Sequence, residues 1–274
     1  CGTTMKKNSL NFLRGPARIA TTLLLAGGLG ACASSGGNPQ DPWESMNRAT
    51  FRFNDVADRA VMRPVAEAYD TVAPLPIKTG VSNVFGNVAD LWIGVNNLLQ
   101  GKVLDGLSDG GRFLINTTVG MLGVFDIATE LGLDKHDEDF GQTLGAWGVG
   151  SGPYLVLPFL GPSTLRDGTS LLLVDLNMDP VWQIDDMGQR NRTTALRLVA
   201  KRAQLLGADT AAEQAALDKY GYMRSFYLQY RQNQVYDGSP PRVKDPDDDA
   251  ALDVPAAAVP PLAAAPSEQR ENQE

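Results

Sequence analysis

One histidine, His136, and two cysteines, Cys1 and Cys32, are all that 274 residues offer of the side chains that most often bind metals or attack substrates. Cys1 precedes Met5, the expected start, and Cys32 closes an export signal, so no disulfide framework is expected. His136 stands among Asp134, Asp137, Glu138 and Asp139, but without EF-hand spacing or a fixed glycine turn. This reads as a solvated acidic loop with no metal site. A phosphate-binding fingerprint is missing too. Gly148, Gly150 and Gly152 lie two apart and do not spell G-x-G-x-x-G, and no P-loop occurs elsewhere, so nothing in the sequence supports nucleotide binding and any energy source is expected elsewhere. Basic residues are few, 24 against 32 acidic, for a formal charge of −8. That balance excludes nucleic acid as a partner and gives no attraction to anionic lipid. Finally, the chain lacks a long unbroken apolar helix where one is first looked for. Residues 140–165 carry no charge, yet six glycines and Pro153, Pro158 and Pro162 interrupt them. A spanning helix needs about 20 apolar residues in continuous helix. Exposed loop backbone cannot sit in hydrocarbon, because its N–H and C=O groups would lack partners. The stretch is therefore either an apolar core loop or the wall of a passage shielded from lipid by other parts of the protein.

What is present begins with an export signal. Behind Met5, the expected start, Lys6, Lys7, Arg14 and Arg18 form a basic region. The apolar run 19–26 follows, then Leu29-Gly30-Ala31-Cys32. A cysteine directly after Leu-Gly-Ala resembles the lipobox of bacterial lipoproteins, which makes Cys32 the lipid anchor and first residue of the mature chain. Residues 1–31 are then an extension plus a removed signal peptide, and 20 basic residues remain against 32 acidic, a formal charge of −12. Attachment must come from acyl chains, each buried methylene contributing about 0.8 kcal/mol. Ala33, unlike an aspartate there, agrees with outer-membrane sorting. Residues 32–40 form a tether, 41–237 one helical domain, and 238–274 a Pro/Ala/acidic tail without a core-forming composition.

Within the domain, Asp41-Pro42-Trp43-Glu44 predicts a helix start with Asp41 as cap. Trp43, Met46, Thr50, Phe53, Ala57 and Val61 then recur at helical spacing, and Pro64 is expected to end or bend the helix. Further helices are predicted over 77–91, over 92–100 with Gly101 as stop, over 105–120 with Ser108 or Asp109 as cap, and from Ser163 or Thr164 to Leu176. Pro180 interrupts. Another helix spans 193–206, and a last one begins near Asp209 and carries Tyr220, Met223, Phe226, Tyr227 and Tyr230 as a core-packing stripe. No repeat and no strand-rich alternation appears, so the fold class is all-α. Asn83, Asn87, Asn96 and Asn97 recur among apolar residues, and buried amides require partners. They are either interhelical hydrogen bonds or polar points on a passage.

Gly106-Leu107-Ser108-Asp109-Gly110 matches the nucleophile elbow of serine hydrolases. The elbow needs a preceding buried strand and a suitably placed histidine, and neither is evident. The segment reads as a helix cap. An esterase using Ser108 is the enzyme alternative, and no catalytic set is otherwise indicated.

Three motifs carry a resemblance to a known family. They are D-F-G-Q-T-L-G from Asp139, G-V-G-S-G-P-Y from Gly148, and L-P-F-L-G-P-S-T-L-R-D from Leu157. With Asp41-Pro42-Trp43-Glu44, Asn47-Arg48, the patch from Phe51 to Asn54, Arg63-Pro64-Val65, Asn96 to Gly101, and the Tyr227 helix, they make residues 41–231 resemble the MlaA/VacJ family of outer-membrane lipoproteins. The resemblance implies a ring of helices embedded in the outer membrane around an amphipathic channel lined by Gly/Pro-rich loops. It implies lipid anchoring with the body facing the periplasm, and removal of phospholipid from the outer leaflet toward the inner membrane, which maintains lipid asymmetry. The implied partners are phospholipid, outer-membrane porin trimers and a soluble periplasmic lipid carrier, with no cofactor beyond the acyl groups on Cys32. The segment Asn83-Val84-Phe85 and the pair Asp90-Leu91 depart from the family pattern.

The residues are compatible with such a passage on physical grounds. Small side chains at Gly148, Gly150 and Gly152 leave room for a headgroup, while Pro153, Tyr154 and Leu157 offer wall, with Asn83 and Asn87 as polar points. These eight are the candidate channel lining. A porin-associated structural lipoprotein without lipid passage is the non-enzymatic alternative.

Overall fold

The computed structural model describes residues 38–207 and 218–241. Cys32 with the signal, the helix expected near Asp209, and the tail beyond 241 lie outside the described residues. The first helix, α1 (Glu44–Ala57), runs through a π-helical turn (Asp58–Met62) into α2 (Arg63–Val72). Pro64 therefore does not end the helix. Its missing N–H and its ring are accommodated by the widened turn just before it. Asp41 is not the cap either: it is buried and accepts hydrogen bonds from Asn47, Tyr220 and Arg224.

The two helices expected over 77–100 are one, α3 (Leu75–Leu99), antiparallel to α4 (Val103–Thr118) across the Gly101 turn. Glycines let the two backbones approach closely. A Cβ added at Gly94 would lie 3.1 Å from Gly106 O, and one at Gly106 would lie 2.9 Å from Gly94 O. Ser108 and Asp109 are interior to α4 and cap nothing. After the short α5 (Ile127–Glu130), the uncharged stretch is not all loop. It forms α6 (Phe140–Ala146), a glycine-rich turn, and a two-stranded antiparallel hairpin, β1 (Tyr154–Leu157) and β2 (Gly161–Thr164), with Tyr154 opposite Thr164. Thr164 then caps α7 (Leu165–Ser170), its side chain accepting from the Asp167 N–H as expected. A π-helical turn (Leu171–Asp175), α8 (Leu176–Met178) and a 3-10 turn (Pro180–Gln183) lead to α9 (Met187–Gln204), capped by Asp186 and longer than predicted. The last helix is α10 (Lys219–Val235).

A four-residue strand has little intrinsic stability; here α1 supplies its missing neighbour. Asn47 donates to Tyr154 O (3.0 Å) and accepts from Val156 N (2.9 Å). Two helical turns on, Asn54 donates to Leu157 O (2.9 Å) and accepts from Phe159 N (2.8 Å). Two side-chain amides thus satisfy the outer edge of β1 as a third strand would. Under it, Tyr154, Val156 and Tyr220 form a small buried cluster with Phe51, Tyr227 and Leu228 against it. The aromatic stripe of α10 accordingly divides, since Tyr220 and Tyr227 pack inward while Phe226 and Tyr230 stack on each other in the open.

Contacts between elements close a circuit: α1 and the π turn lead to α2, then α9, α3, α6, α7, β1 and back to α1. The residues buried between the elements are mostly polar. Among the described residues, the buried set comprises eight hydrophobic residues, five of them alanine or tyrosine (Ala66, Ala128, Ala200, Tyr154 and Tyr220), against eighteen polar or charged ones. Large apolar side chains point outward instead, with Leu104 82%, Val72 81%, Phe159 77% and Leu122 74% exposed. That is the reverse of a water-soluble domain, where large aliphatics fill the core and charged residues are almost never fully buried. No described helix is long and apolar enough to cross a membrane.

Candidate functional site

The buried polar groups are held as networks. Arg231, on α10, reaches between α6 and α7 and donates to Asp139 Oδ2 (2.7 Å) and Asp167 Oδ1 (3.3 Å). Asp139 is fixed because it also caps α6, accepting from Gln142 N (2.9 Å). Asp167 receives Arg166 Nε (2.8 Å) and Thr164 Oγ1 (2.9 Å) as well. Burial pushes the Asp167 carboxyl up, but the charge of Arg231 and the Arg166 bond outweigh it, and the group sits below its ordinary range. Burial likewise works against the Arg231 cation, and Asp139 and Asp167 more than restore it.

Beside this clamp lies a cleft of about 340 Å³, bordered by Gly148, Gly150, Ser151, Arg166, Arg231 and Tyr236. Gly148 adopts φ +88°, a conformation suited to glycine, at the end of α6, where its N–H donates to Gly145 O (2.9 Å). A Cβ at Gly148 or Gly150 would meet nothing within 4 Å. Arg166 steadies the turn, its Nη1 donating to Val149 O (3.1 Å) and its backbone N–H to Ser151 O (3.1 Å). The cleft therefore combines guanidinium groups, a glycine-wide opening and an apolar rim that includes Leu228 and Val235.

The second network ties α3 to α4 and α5. Arg112, fully buried, donates to both oxygens of Asp126 (2.9 Å each), to Thr129 Oγ1 (2.9 Å) and to Leu133 O, and approaches Asp90 at 3.4 Å. Burial raises Asp126, but bonds from Thr129, Asn116 and Arg112 bring it down to about 2. Burial is the largest influence on Asp90, whose carboxyl stays above its ordinary value despite Lys135 and Arg112. A cavity of about 160 Å³ opens here, with Asn83, Asn87, Asp90 and Lys135 on its walls.

The eight candidate lining residues thus fall in different places. Gly148 and Gly150 border the large cleft. Gly152, at φ +67°, stands just outside it, where an added Cβ would lie 3.2 Å from Leu165 Cβ. Pro153 is half-buried and its carbonyl accepts from Leu165 N (2.9 Å). Tyr154 is fully buried in the aromatic cluster and supports the hairpin from behind, its hydroxyl pushed up to about 12 by burial. Leu157 is half-buried and faces Gly168. Asn83 and Asn87 border the smaller cavity, Asn83 donating to Val124 O (3.0 Å) and Asn87 to Thr117 Oγ1 (2.8 Å). Asn96 and Asn97 are interhelical partners: Asn96 accepts from Thr143 Oγ1 (2.8 Å) and Asn97 donates to Asp109 Oδ2 (2.7 Å).

Sequence reasoning missed Arg112, Arg166 and Arg231 as site-formers. Their sequence surroundings are mixed, and the acidic partners of Arg231 lie more than sixty positions away, so no local pattern marks them. Ser108 lies in the middle of α4, without the strand–turn–helix setting of an elbow. His136 Nδ1 is 2.9 Å from Asp109 Oδ1, a partner inside the helical hairpin rather than in a solvated loop. Among the described residues, no three histidine, cysteine or acidic side chains are grouped to hold a metal ion.

Comparison with known proteins adds to this geometry. A family model described as MlaA lipoprotein matches residues 39–234. "Intermembrane phospholipid transport system lipoprotein MlaA" of Escherichia coli strain K12 is 38% identical over 218 residues, 77% of this chain and 84% of the relative. The protein of the same name from Haemophilus influenzae is 33% identical over 241 residues, 84% of this chain and 96% of its own. A solved structure described as "Structural basis for maintenance of bacterial outer membrane lipid asymmetry" superposes with a TM-score of 0.63 at 33% identity, covering 71% of this chain and 98% of its own.

Proposed function

The chain belongs to the MlaA lipoprotein family, and from that premise we propose that it is a passive conduit that removes phospholipid from the outer leaflet of the outer membrane for retrograde transport to the inner membrane. The observation that carries the reading is the inverted distribution of side chains. Large apolar side chains face outward where acyl chains can solvate them, while the buried residues are mostly charged or amide groups and polar groups border the clefts, where they keep a headgroup in polar surroundings. A lipid moving along such a surface never exposes its headgroup to hydrocarbon or its tails to bulk water. The Gly148–Gly150 turn is a side-chain-free part of the wall, and the guanidiniums of Arg166 and Arg231 beside it attract a phosphate.

In this reading Cys32 carries the acyl anchor, porin trimers hold the body in the membrane, and a soluble periplasmic carrier receives the lipid. Gly148, Gly150 and Gly152 line the path, with Asn83 and Asn87 as polar points; Pro153, Tyr154 and Leu157 brace it from behind. The helical position of Ser108 favours transport over hydrolysis.

The test is deletion of the gene followed by measurement of phospholipid exposed on the cell surface. The reading expects a rise, reversed by the wild-type chain and not by a folded Gly150→Trp chain. Unchanged surface lipid with altered envelope mechanics would instead identify a structural lipoprotein.

A further inference from the structure

The cavity between α3 and α4 has an imbalance of donors and acceptors that points to its occupant. Its backing groups are already committed. Arg112 is bound to Asp126, Thr129 and Leu133, and Asn116 both donates to Asp126 Oδ1 (2.9 Å) and accepts from Ala128 N (2.9 Å). Two acceptors remain. Asn87 is 3% exposed, and its Oδ1 has no hydrogen-bond partner. Asp90 is fully buried, its Arg112 contact is long at 3.4 Å, and its one close partner is Lys135 Nζ. Lys135 stands at the mouth, its side chain 44% exposed, touching Gly86 O at 3.3 Å. The cavity thus offers acceptors inside and a movable cation outside.

Directly on the cavity lies an apolar loop. Asn83 holds Val124 O, and Gly123, at φ +87°, packs so closely on Asn87 that an added Cβ would come within 2.7 Å of it. Met121 and Leu122 are held at φ 53° and 59°, unusual for such residues, and with Val119 and Phe125 they are turned outward and exposed.

A primary ammonium brings three donors and no acceptor; a quaternary ammonium brings no N–H, and a glycerol headgroup brings no cation. We propose that this cavity selects the headgroup of the transported lipid. The ammonium of phosphatidylethanolamine bonds Asn87 Oδ1 and Asp90, its phosphate pairs with Lys135 Nζ at the mouth, and its acyl chains lie against Met121, Leu122 and Phe125. The inference rests on the conduit reading and adds to it a substrate preference set away from the glycine cleft.

The test is binding to the full chain in detergent, with dihexanoyl phosphatidylethanolamine, phosphatidylglycerol and phosphatidylcholine as lipid probes and phosphorylethanolamine as the free headgroup. Phosphatidylethanolamine should bind tighter than the other two by about tenfold. Asn87→Leu should remove that preference, and Lys135→Ala, its fold checked by circular dichroism because it takes away the close partner of buried Asp90, should weaken phosphatidylethanolamine most. Phosphorylethanolamine should bind more weakly than the lipid; equal binding would assign the cavity to a free phosphorylated amine and overturn the lipid proposal. Equal binding of all three lipids, unmoved by Lys135→Ala, would leave the cavity to water and overturn it too. Surface clearance by a Gly150→Trp chain reports on the conduit separately. If clearance requires an open Gly150 while the headgroups bind alike, this inference alone falls.

Discussion

Arg231 and Arg112 are each clamped between two aspartates, and each clamp borders a cavity, but the two surroundings differ in what they leave unpaired. Around Arg231 every carboxylate oxygen is used: Asp139 caps a helix while it holds the guanidinium, and Asp167 takes bonds from Arg166, Thr164 and Arg231 together. The adjoining cleft is bounded by glycine and cationic groups. Around Arg112, Asp126 is saturated but Asp90 is not, and Asn87 Oδ1 stands without a partner beside it. A polar interior can therefore be rigid at one place and receptive at another. The clamp whose carboxylate oxygens are all used borders the larger cleft, whereas the other leaves the acceptor Asn87 Oδ1 free beside its cavity.

The largest expected effect is from breaking either clamp at its cation. Arg112→Met and Arg231→Met each remove a buried cation shared by two aspartates, leaving Asp90 only Lys135 and Asp167 only Arg166, and each should lower unfolding stability by about 3–5 kcal/mol, read by denaturant titration in detergent. Neutralising one carboxylate separates the clamps. Asp167→Asn removes an acceptor used by several donors and should cost about 1–3 kcal/mol, whereas Asp90→Asn, at a carboxyl that burial already disfavours, should cost less than that. Equal costs would erase the distinction.

Acidification should sharpen the same contrast. Asp126 and Asp167 sit below their ordinary values, so each contributes stability that is present above about pH 4 and is lost as pH falls through the folded value. For Asp126 the loss falls between about pH 4 and pH 2. Asp90 is raised and has the opposite sign: what it contributes is present below the ordinary carboxylate pKa and lost as pH rises through its own. Carboxyl titrations followed by NMR should therefore place Asp126 and Asp90 on opposite sides of an ordinary aspartate. Smallest is the cap: Thr164→Ala should cost about 1 kcal/mol and loosen the hairpin–α7 junction, removing one of the donors to Asp167 while leaving its bonds from Arg166 and Arg231 and the whole Arg112 clamp in place.

The sequence showed most where the chain obeys local rules. The Thr164 cap, the stop at Gly101 and the helical class were legible from residue type and spacing. The hairpin was not, because Pro158 and Pro162 argue against a strand, and its edge is satisfied by Asn47 and Asn54, more than a hundred positions earlier. Helix α3 is one helix where two segments were expected, and the interhelical alternative holds for Asn87, Asn96 and Asn97, which are bonded to Thr117, Thr143 and Asp109 on other elements. At the candidate site, the glycines were visible as small residues in an oily run, but the arginines behind them became meaningful only when the fold brought Asp139 and Asp167 to Arg231.

The central claim, that lipid meets the outside and water the inside, is tested most directly by cysteine labelling of the protein in the outer membrane. A Gly150→Cys chain and a Leu122→Cys chain, each treated with a water-soluble maleimide, report the two environments. Rapid labelling at 150 with protection at 122 is the result this account predicts. Protection at 150 with rapid labelling at 122 would contradict it.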